Sequence, residues 1–231
     1  ALDATNDYTK SVEATFGQEM PAIAVLPVRP GYTFQGYFDA ETGGTQYYLS
    51  TGASAHAWDK PAGATLYAQW STDSYGITYT ETTNLTWGEK PATINIETDM
   101  LTAYYSVAAG YEVTGMTVTV GGATVDESAI VYDNETVIIG TTFSGAVVIT
   151  PIVTPTHYTI TYLKNDGSAT SSTQEAVYME NVTLKNGTAF NRKGYTIDHW
   201  ETEDGQTSYE KGYEFIASVD GCRDAKFCVS T

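Results

Sequence analysis

The sequence predicts a mainly β protein assembled from several small sheets, and three observations carry that prediction. Tyr occurs 18 times in 231 residues, Thr is abundant and Lys is scarce, a usage that favours pleated, half-buried surfaces over helices. Apolar residues alternate with hydroxyl residues in short runs bounded by Gly, Asn and Pro, the mark of strands with one buried face. The segment Arg29-Pro30-Gly31-Tyr32-Thr33-Phe34-Gln35-Gly36-Tyr37 lines up residue for residue with Arg192-Lys193-Gly194-Tyr195-Thr196-Ile197-Asp198-His199-Trp200. One unit therefore occurs twice, with unrelated sequence between the copies, which divides the chain into at least three modules.

The first copy is expected over residues 1–70. It has a turn at Ala4 to Asp7, a β-like run at Val12 to Phe16, and a stretch from Ala14 to Leu26 that lacks strict alternation and is the place for a short helix. The Gly-Tyr-Thr-Phe strand follows, then a turn at Gly44-Thr45-Gln46-Tyr47 and a closing strand, Thr65 to Trp70. The strand that should open this copy is expected to lie mostly before Ala1. Ser71 to Gly76 reads as a polar linker into a middle module, 71–156. There Thr93 to Glu97, Met116 to Val120 with Gly121-Gly122 after it, Thr136 to Ile139 and Ala146 to Thr150 describe short antiparallel strands, enough for a small sandwich.

A second linker is expected at Pro151 to Thr156, and the second copy over 157–231. This copy opens with the alternating run Tyr158-Thr159-Ile160-Thr161-Tyr162, turns at Asn165-Asp166-Gly167 and continues through Glu175 to Tyr178. Glu180 to Phe190 is the second place for a short helix. A turn at Gly205 to Tyr209 and a closing strand, Ala225 to Ser230, complete it.

Composition narrows the function. With 28 acidic and 11 basic residues the net charge is −17, which repels nucleic acid and anionic lipid alike. No apolar run reaches the roughly 18 residues that span a bilayer, so no membrane insertion is expected within this chain. Cys222 and Cys228 fit either a disulfide across a hairpin or two free thiols. His56, His157 and His199 stand in no zinc-binding, nucleophile-elbow or phosphate-loop pattern, and they are expected to be surface or packing residues. Asp198, Glu201, Glu203 and Asp204 form an acidic group without the spacing of a calcium loop. No catalytic, metal-binding or cofactor-binding residue is assigned, and the chain is expected not to be an enzyme.

The Gly31-Tyr32-Thr33-Phe34, Gly36-Tyr37 and Leu66-Tyr67-Ala68-Gln69-Trp70 runs resemble the Listeria and Bacteroides repeat, the B-repeat of internalin-type surface proteins. The second copy keeps Gly194-Tyr195-Thr196 and Trp200, but it has His199 at the usual Gly and Phe227-Cys228-Val229-Ser230 in place of the closing Tyr-Ala-Gln-Trp. The middle module, through Gly110-Tyr111-Glu112-Val113, Thr117 to Gly122 and Val147 to Thr150, is similar to β-rich modules that accompany such repeats in surface proteins of gut bacteria. The resemblance implies a ubiquitin-like β-grasp fold for each repeat and a cell-surface or extracellular bacterial protein. Its modules would act as stalk and interaction units toward a host or neighbouring-cell protein or glycan. Gly31, Tyr32, Gly36, Tyr37, Tyr67, Trp70, Gly194, Tyr195 and Trp200 are read as structural: Gly31 and Gly194 suit turns with positive φ, and Tyr32, Tyr37, Tyr67 and Trp70 supply core area that a module of about 70 residues needs. A carbohydrate-binding module is the alternative. It requires that Tyr47, Tyr48, Trp87, Tyr104 and Tyr105 present an exposed platform. A hydrolase ranks last, since only the acid content recommends it.

Overall fold

The computed structural model describes residues 11–190 and 193–218 and the backbone of 226–230. Among these residues there are strands, turns and one 3-10 turn, Glu127–Ala129, but no α-helix. The buried side chains gather in three separate clusters, one for each third of the chain.

In the N-terminal part, β1 (Tyr32–Phe38), β2 (Gln46–Leu49) and β3 (Tyr67–Thr72) form an antiparallel sheet in the order β2-β1-β3. Its cluster holds Met20, Tyr47, Tyr48 and Trp58. Neither the strand at Val12 to Phe16 nor the helix at Ala14 to Leu26 forms. Gly17, at φ +75°, and Pro21 and Pro27 break a helical ladder there. The backbone is instead tied to the loop after β2: Gly17 donates to the Trp58 carbonyl, Trp58 to Gln18 and Ile23 to Gly52. Tyr48 adds its hydroxyl to the Pro21 carbonyl at 2.9 Å.

The middle part is two facing sheets. One has the order β10-β11-β7-β5, from β5 (Leu85–Trp87), β7 (Leu101–Val107), β10 (Ile130–Tyr132) and β11 (Thr136–Ile139). The other has the order β6-β4-β12-β8-β9, from β4 (Tyr75–Tyr79), β6 (Thr93–Ile94), β8 (Tyr111–Val120), β9 (Ala123–Thr124) and β12 (Val147–Pro155). Period-two alternation sends Leu101, Ala103 and Tyr105 of β7 and Val147 and Ile149 of β12 into the shared core.

In the C-terminal part, β13 (His157–Leu163), β14 (Ser171–Val177), β16 (His199–Thr202), β17 (Ser208–Glu210) and β19 (Lys226–Ser230) make a mixed sheet, β14-β13-β19-β16-β17, with β13 and β19 parallel. β15 (Asn181–Thr183) and β18 (Glu214–Ile216) form a separate antiparallel pair. The helix expected at Glu180 to Phe190 is therefore absent. Val182 and Leu184 bury at a spacing of two, the period of a strand, and Gly187 turns the chain at φ +81°. Ile160 and Tyr162 of β13 and Trp200 of β16 are fully buried in this cluster, with the Tyr162 and Trp200 rings 4.6 Å apart.

Both expected linkers are corrected. Ser71 and Thr72 end β3, Tyr75 and Gly76 begin β4, and β12 runs through Pro151 to Pro155, so only Thr156 separates β12 from β13. Proline removes one ladder donor, which a strand tolerates where one side is unpaired. The pairing of β12 with β4 ends at Ile149, before either proline. Cys222 and the side chain of Cys228 lie outside the described residues, and the disulfide question lies there with them.

Candidate functional site

Polar and aromatic contacts close the two places where one cluster meets the next. At the first joint, Arg29-Pro30-Gly31-Tyr32 is a turn closed by the Tyr32 amide on the Arg29 carbonyl at 3.1 Å. Gly31 sits at φ +77°, and a Cβ on it would come within 2.6 Å of the Ile96 Cδ1 from the middle part. Ile96 follows β6 on a turn where the Asn95 side chain accepts from the Glu97 amide at 3.0 Å. The Tyr32 hydroxyl donates to Glu97 Oε1 at 3.1 Å, and the Arg29 guanidinium lies 3.4 Å from the Tyr32 ring centre. Loss of solvent, then the Glu97 hydrogen bond, pushes the Tyr32 hydroxyl above its usual pKa. The Asp73 amide donates to the Gly31 carbonyl at 2.9 Å, and Thr33 Oγ1 donates to Asp73 Oδ1 at 2.6 Å.

The second joint repeats the device with other residues. Gly110, at φ +82°, has three ring carbons of Tyr178 only 2.5 Å from where its Cβ would stand. The Tyr178 ring meets Tyr111 edge-on, with centroids 5.3 Å apart. Thr156 donates its amide to the Gly110 carbonyl at 2.8 Å and accepts from the Tyr178 amide at 3.0 Å, so the connecting residue is bonded to both parts. In each joint a left-handed glycine on the earlier part receives a side chain from the later part.

Sequence reading placed Gly31 and Tyr32 among the structural residues but missed Ile96, Glu97, Gly110, Tyr111 and Tyr178 as their counterparts. The available signal was the Gly-Tyr dipeptide, which recurs at 31–32, 36–37, 110–111, 194–195 and 212–213. The other signature residues divide in two. Gly36 packs under the Tyr48 carbonyl beside a bulge in β1, and Tyr37, Tyr67 and Trp70 are half-buried, with Phe34 5.1 Å from the Tyr37 ring and 5.3 Å from Trp70. Trp200 is fully buried and donates its indole N–H to the Lys185 carbonyl at 2.6 Å. Gly194 and Tyr195 are exposed.

The remaining candidates are held by local partners. His199 lies 3.1 Å from Asp198 and 3.4 Å from Glu201, whose hydrogen bonds raise its pKa. Asp204 accepts from the Thr202 hydroxyl and the Gln206 amide, which lowers its pKa. His56 faces Asp59, which also accepts from the Tyr47 hydroxyl, and His157 is an exposed residue at the start of β13. Among the described residues, no group of three or more His, Cys, Asp or Glu side chains is arranged to hold a metal. Of the five aromatics that a sugar platform needs, Tyr47, Tyr48 and Tyr105 are buried and Trp87 is half-buried beneath Tyr79, while Tyr104 is 47% exposed.

The profile of the Listeria-Bacteroides repeat domain matches residues 3–69 and 158–220, more than half of the chain. Internalin H of Listeria monocytogenes is 40% identical over 72 residues, a stretch that covers 31% of this chain and 12% of Internalin H. No solved structure matches the chain. Two matches to one repeat profile, falling on the two parts that share the Gly-Tyr-Thr motif, place this chain in the Listeria-Bacteroides repeat family.

Proposed function

We propose that the chain is a non-enzymatic, stiff spacer of a bacterial surface or extracellular protein, in which two repeats and a sandwich module are held in line by closed joints. The carrying observation is that each junction combines a nearly continuous strand with a glycine filled by the neighbouring module's side chain. The repeat family and the likeness to part of Internalin H support the surface setting.

A β-grasp fold for the repeats is part of this reading. In the C-terminal repeat the first and last strands are parallel neighbours at the centre of the sheet, with the second strand outside the first and the third beside the last. The N-terminal order β2-β1-β3 follows the same plan for the last three strands. Carbohydrate binding ranks second. It draws on Tyr104, whose ring shares the outer face of its sheet with Thr102 and Thr136, and a glycan screen with the Tyr104→Ala variant tests it.

Small-angle scattering of the intact chain tests the spacer. One extended conformation should reproduce the whole curve. A compact globule, or a curve that only a wide ensemble of joint angles can fit, would refute the proposal.

A further inference from the structure

The sandwich carries its charge in its turns and almost none on its sheets. Among the described residues, its strands β4 to β12 hold one charged side chain, Glu112 of β8. In the C-terminal repeat, by contrast, β14, β16, β17 and β18 hold Glu175, Glu201, Glu210 and Glu214. The outer face of the sheet β10-β11-β7-β5 is therefore neutral, and it is also apolar. Pairing sets Val131 beside Ile138 and Ile138 beside Thr102, with Thr136 beside Tyr104 in the next row. Met100 precedes the buried Leu101 of β7, so alternation turns it to the same outer face. Met100 is 59% exposed, Val131 65% and Tyr104 47%, and Ile138 between them is half-buried. Four large side chains on three adjoining strands make one patch rather than scattered single residues.

Exposed carboxylates border the patch. Asp133 Oδ1 accepts from the hydroxyl of Thr136, the neighbour of Tyr104, at 3.2 Å, and from the Glu135 and Thr136 amides at 2.7 Å. The Glu89 carbonyl accepts the Tyr104 amide at 2.8 Å, and Asp99 adjoins Met100. Glu89, Asp99, Asp133 and Glu135 are all exposed. Lys90, the one Lys or Arg of residues 75–155, is drawn over the Tyr79 and Trp87 rings, 4.8 and 5.6 Å from their centres. A neutral apolar centre inside an acidic rim is complementary to an apolar centre inside a basic one. We infer that this face is a docking surface for a basic protein segment, which lays aliphatic side chains against Val131, Ile138 and Tyr104 and reaches the rim with Lys or Arg. A second copy of this chain fits poorly, because a two-fold contact through this face sets one acidic rim against another. A neutral glycan would draw on Tyr104 and leave the rim unused. The inference goes beyond the spacer reading and needs neither joint.

The test is a titration of the intact, nitrogen-15-labelled chain with a synthetic peptide of alternating Leu and Lys, followed through amide shifts. Saturable shifts are expected at Thr102, Tyr104, Val131 and Ile138, weakening as salt is raised. Affinity should fall about tenfold or more when Tyr104→Ser and Val131→Ser are combined, and by a similar factor when Glu89→Gln and Asp99→Asn are. Val148→Ser removes an exposed apolar side chain from the opposite sheet and should leave affinity unchanged, which separates loss of the patch from a general effect of such substitutions. A peptide of alternating Thr and Lys should bind about tenfold more weakly or worse. Equal binding of that peptide, or shifts spread evenly over the acidic turns of all three modules, reduces the contact to bulk charge and overturns the inference. So does the absence of shifts at Tyr104 in the unaltered chain. Shifts that grow with protein concentration alone would name a second copy, and shifts at Tyr104 with neutral oligosaccharides but not with the peptide would name a glycan; either overturns the committed partner. The scattering of the free chain is read without peptide, so the spacer and the docking surface fall separately.

Discussion

The first joint is closed by a hydrogen bond to a carboxylate and an aliphatic side chain, the second by an aromatic pair and two backbone bonds through Thr156. Their common part is the left-handed glycine on the earlier module. The difference teaches which element fixes the angle. At Gly31 the nearest atom, the Ile96 Cδ1, can rotate away although the Cβ and Cγ2 at 3.0 and 3.1 Å cannot, whereas at Gly110 it is the face of a ring held by Tyr111 and by the backbone of Tyr178 itself. The second joint should therefore be the stiffer, and the first the more responsive to solution conditions.

Substitutions sharpen this contrast. Gly110→Ala should have the largest effect: the Tyr178 ring must leave, and a non-glycine residue is forced to φ +82°, at a cost of roughly 2–3 kcal/mol. Denaturant unfolding should show that loss, and amide exchange should rise at Thr156 and Tyr178. Gly31→Ala, with a softer clash, should cost about 1–2 kcal/mol by the same measurement. If it proves as damaging as Gly110→Ala, the asymmetry between the joints is wrong. Tyr178→Ala should cost about 1 kcal/mol for the lost edge-on contact, and the second joint should loosen while the first does not.

The smallest effect should come from Glu97→Gln, because the pair is exposed and screened by solvent. It should appear mainly as altered pH dependence. The Tyr32 hydroxyl has a raised pKa in the folded chain, so its contribution is complete below the ordinary value of 10.0 and is lost as pH rises through the raised one. Ultraviolet titration of Tyr32 should move toward the ordinary value in the variant. His199 makes the opposite repeat sensitive at lower pH. Its raised pKa, set by Asp198 and then Glu201, gives stability that is complete below 6.5 and lost as pH climbs through the folded value.

The strands were legible because alternation is local. Tyr158 to Tyr162 became β13 with Ile160 and Tyr162 inward, and Met116 and Val118 of β8 face the sandwich core. The helices expected at 14–26 and 180–190 came from weak alternation, which also describes a strap bonded to a distant loop and a short edge pair. Pro151, Pro155 and the polar residues near 71–76 read as breaks in the chain, because a single sequence does not show that β12 is paired on one side only at its prolines. The joints were invisible for a similar reason. Glu97 lies 65 residues beyond Tyr32, and no period or spacing links them. What the sequence did carry was the repeated Gly-Tyr turn; the neighbour that fills it is a tertiary fact.

The central claim is that the joints are closed, and interspin distances test it most directly. With Cys222 and Cys228 replaced by Ser, labels at exposed Glu41 and Glu127 span the first joint, and labels at Glu127 and exposed Ala169 span the second. The account predicts one narrow distance for each pair, the narrower across the second joint. Broad distributions across both, unchanged by Gly31→Ala or Gly110→Ala, would show modules that swing freely and would contradict it.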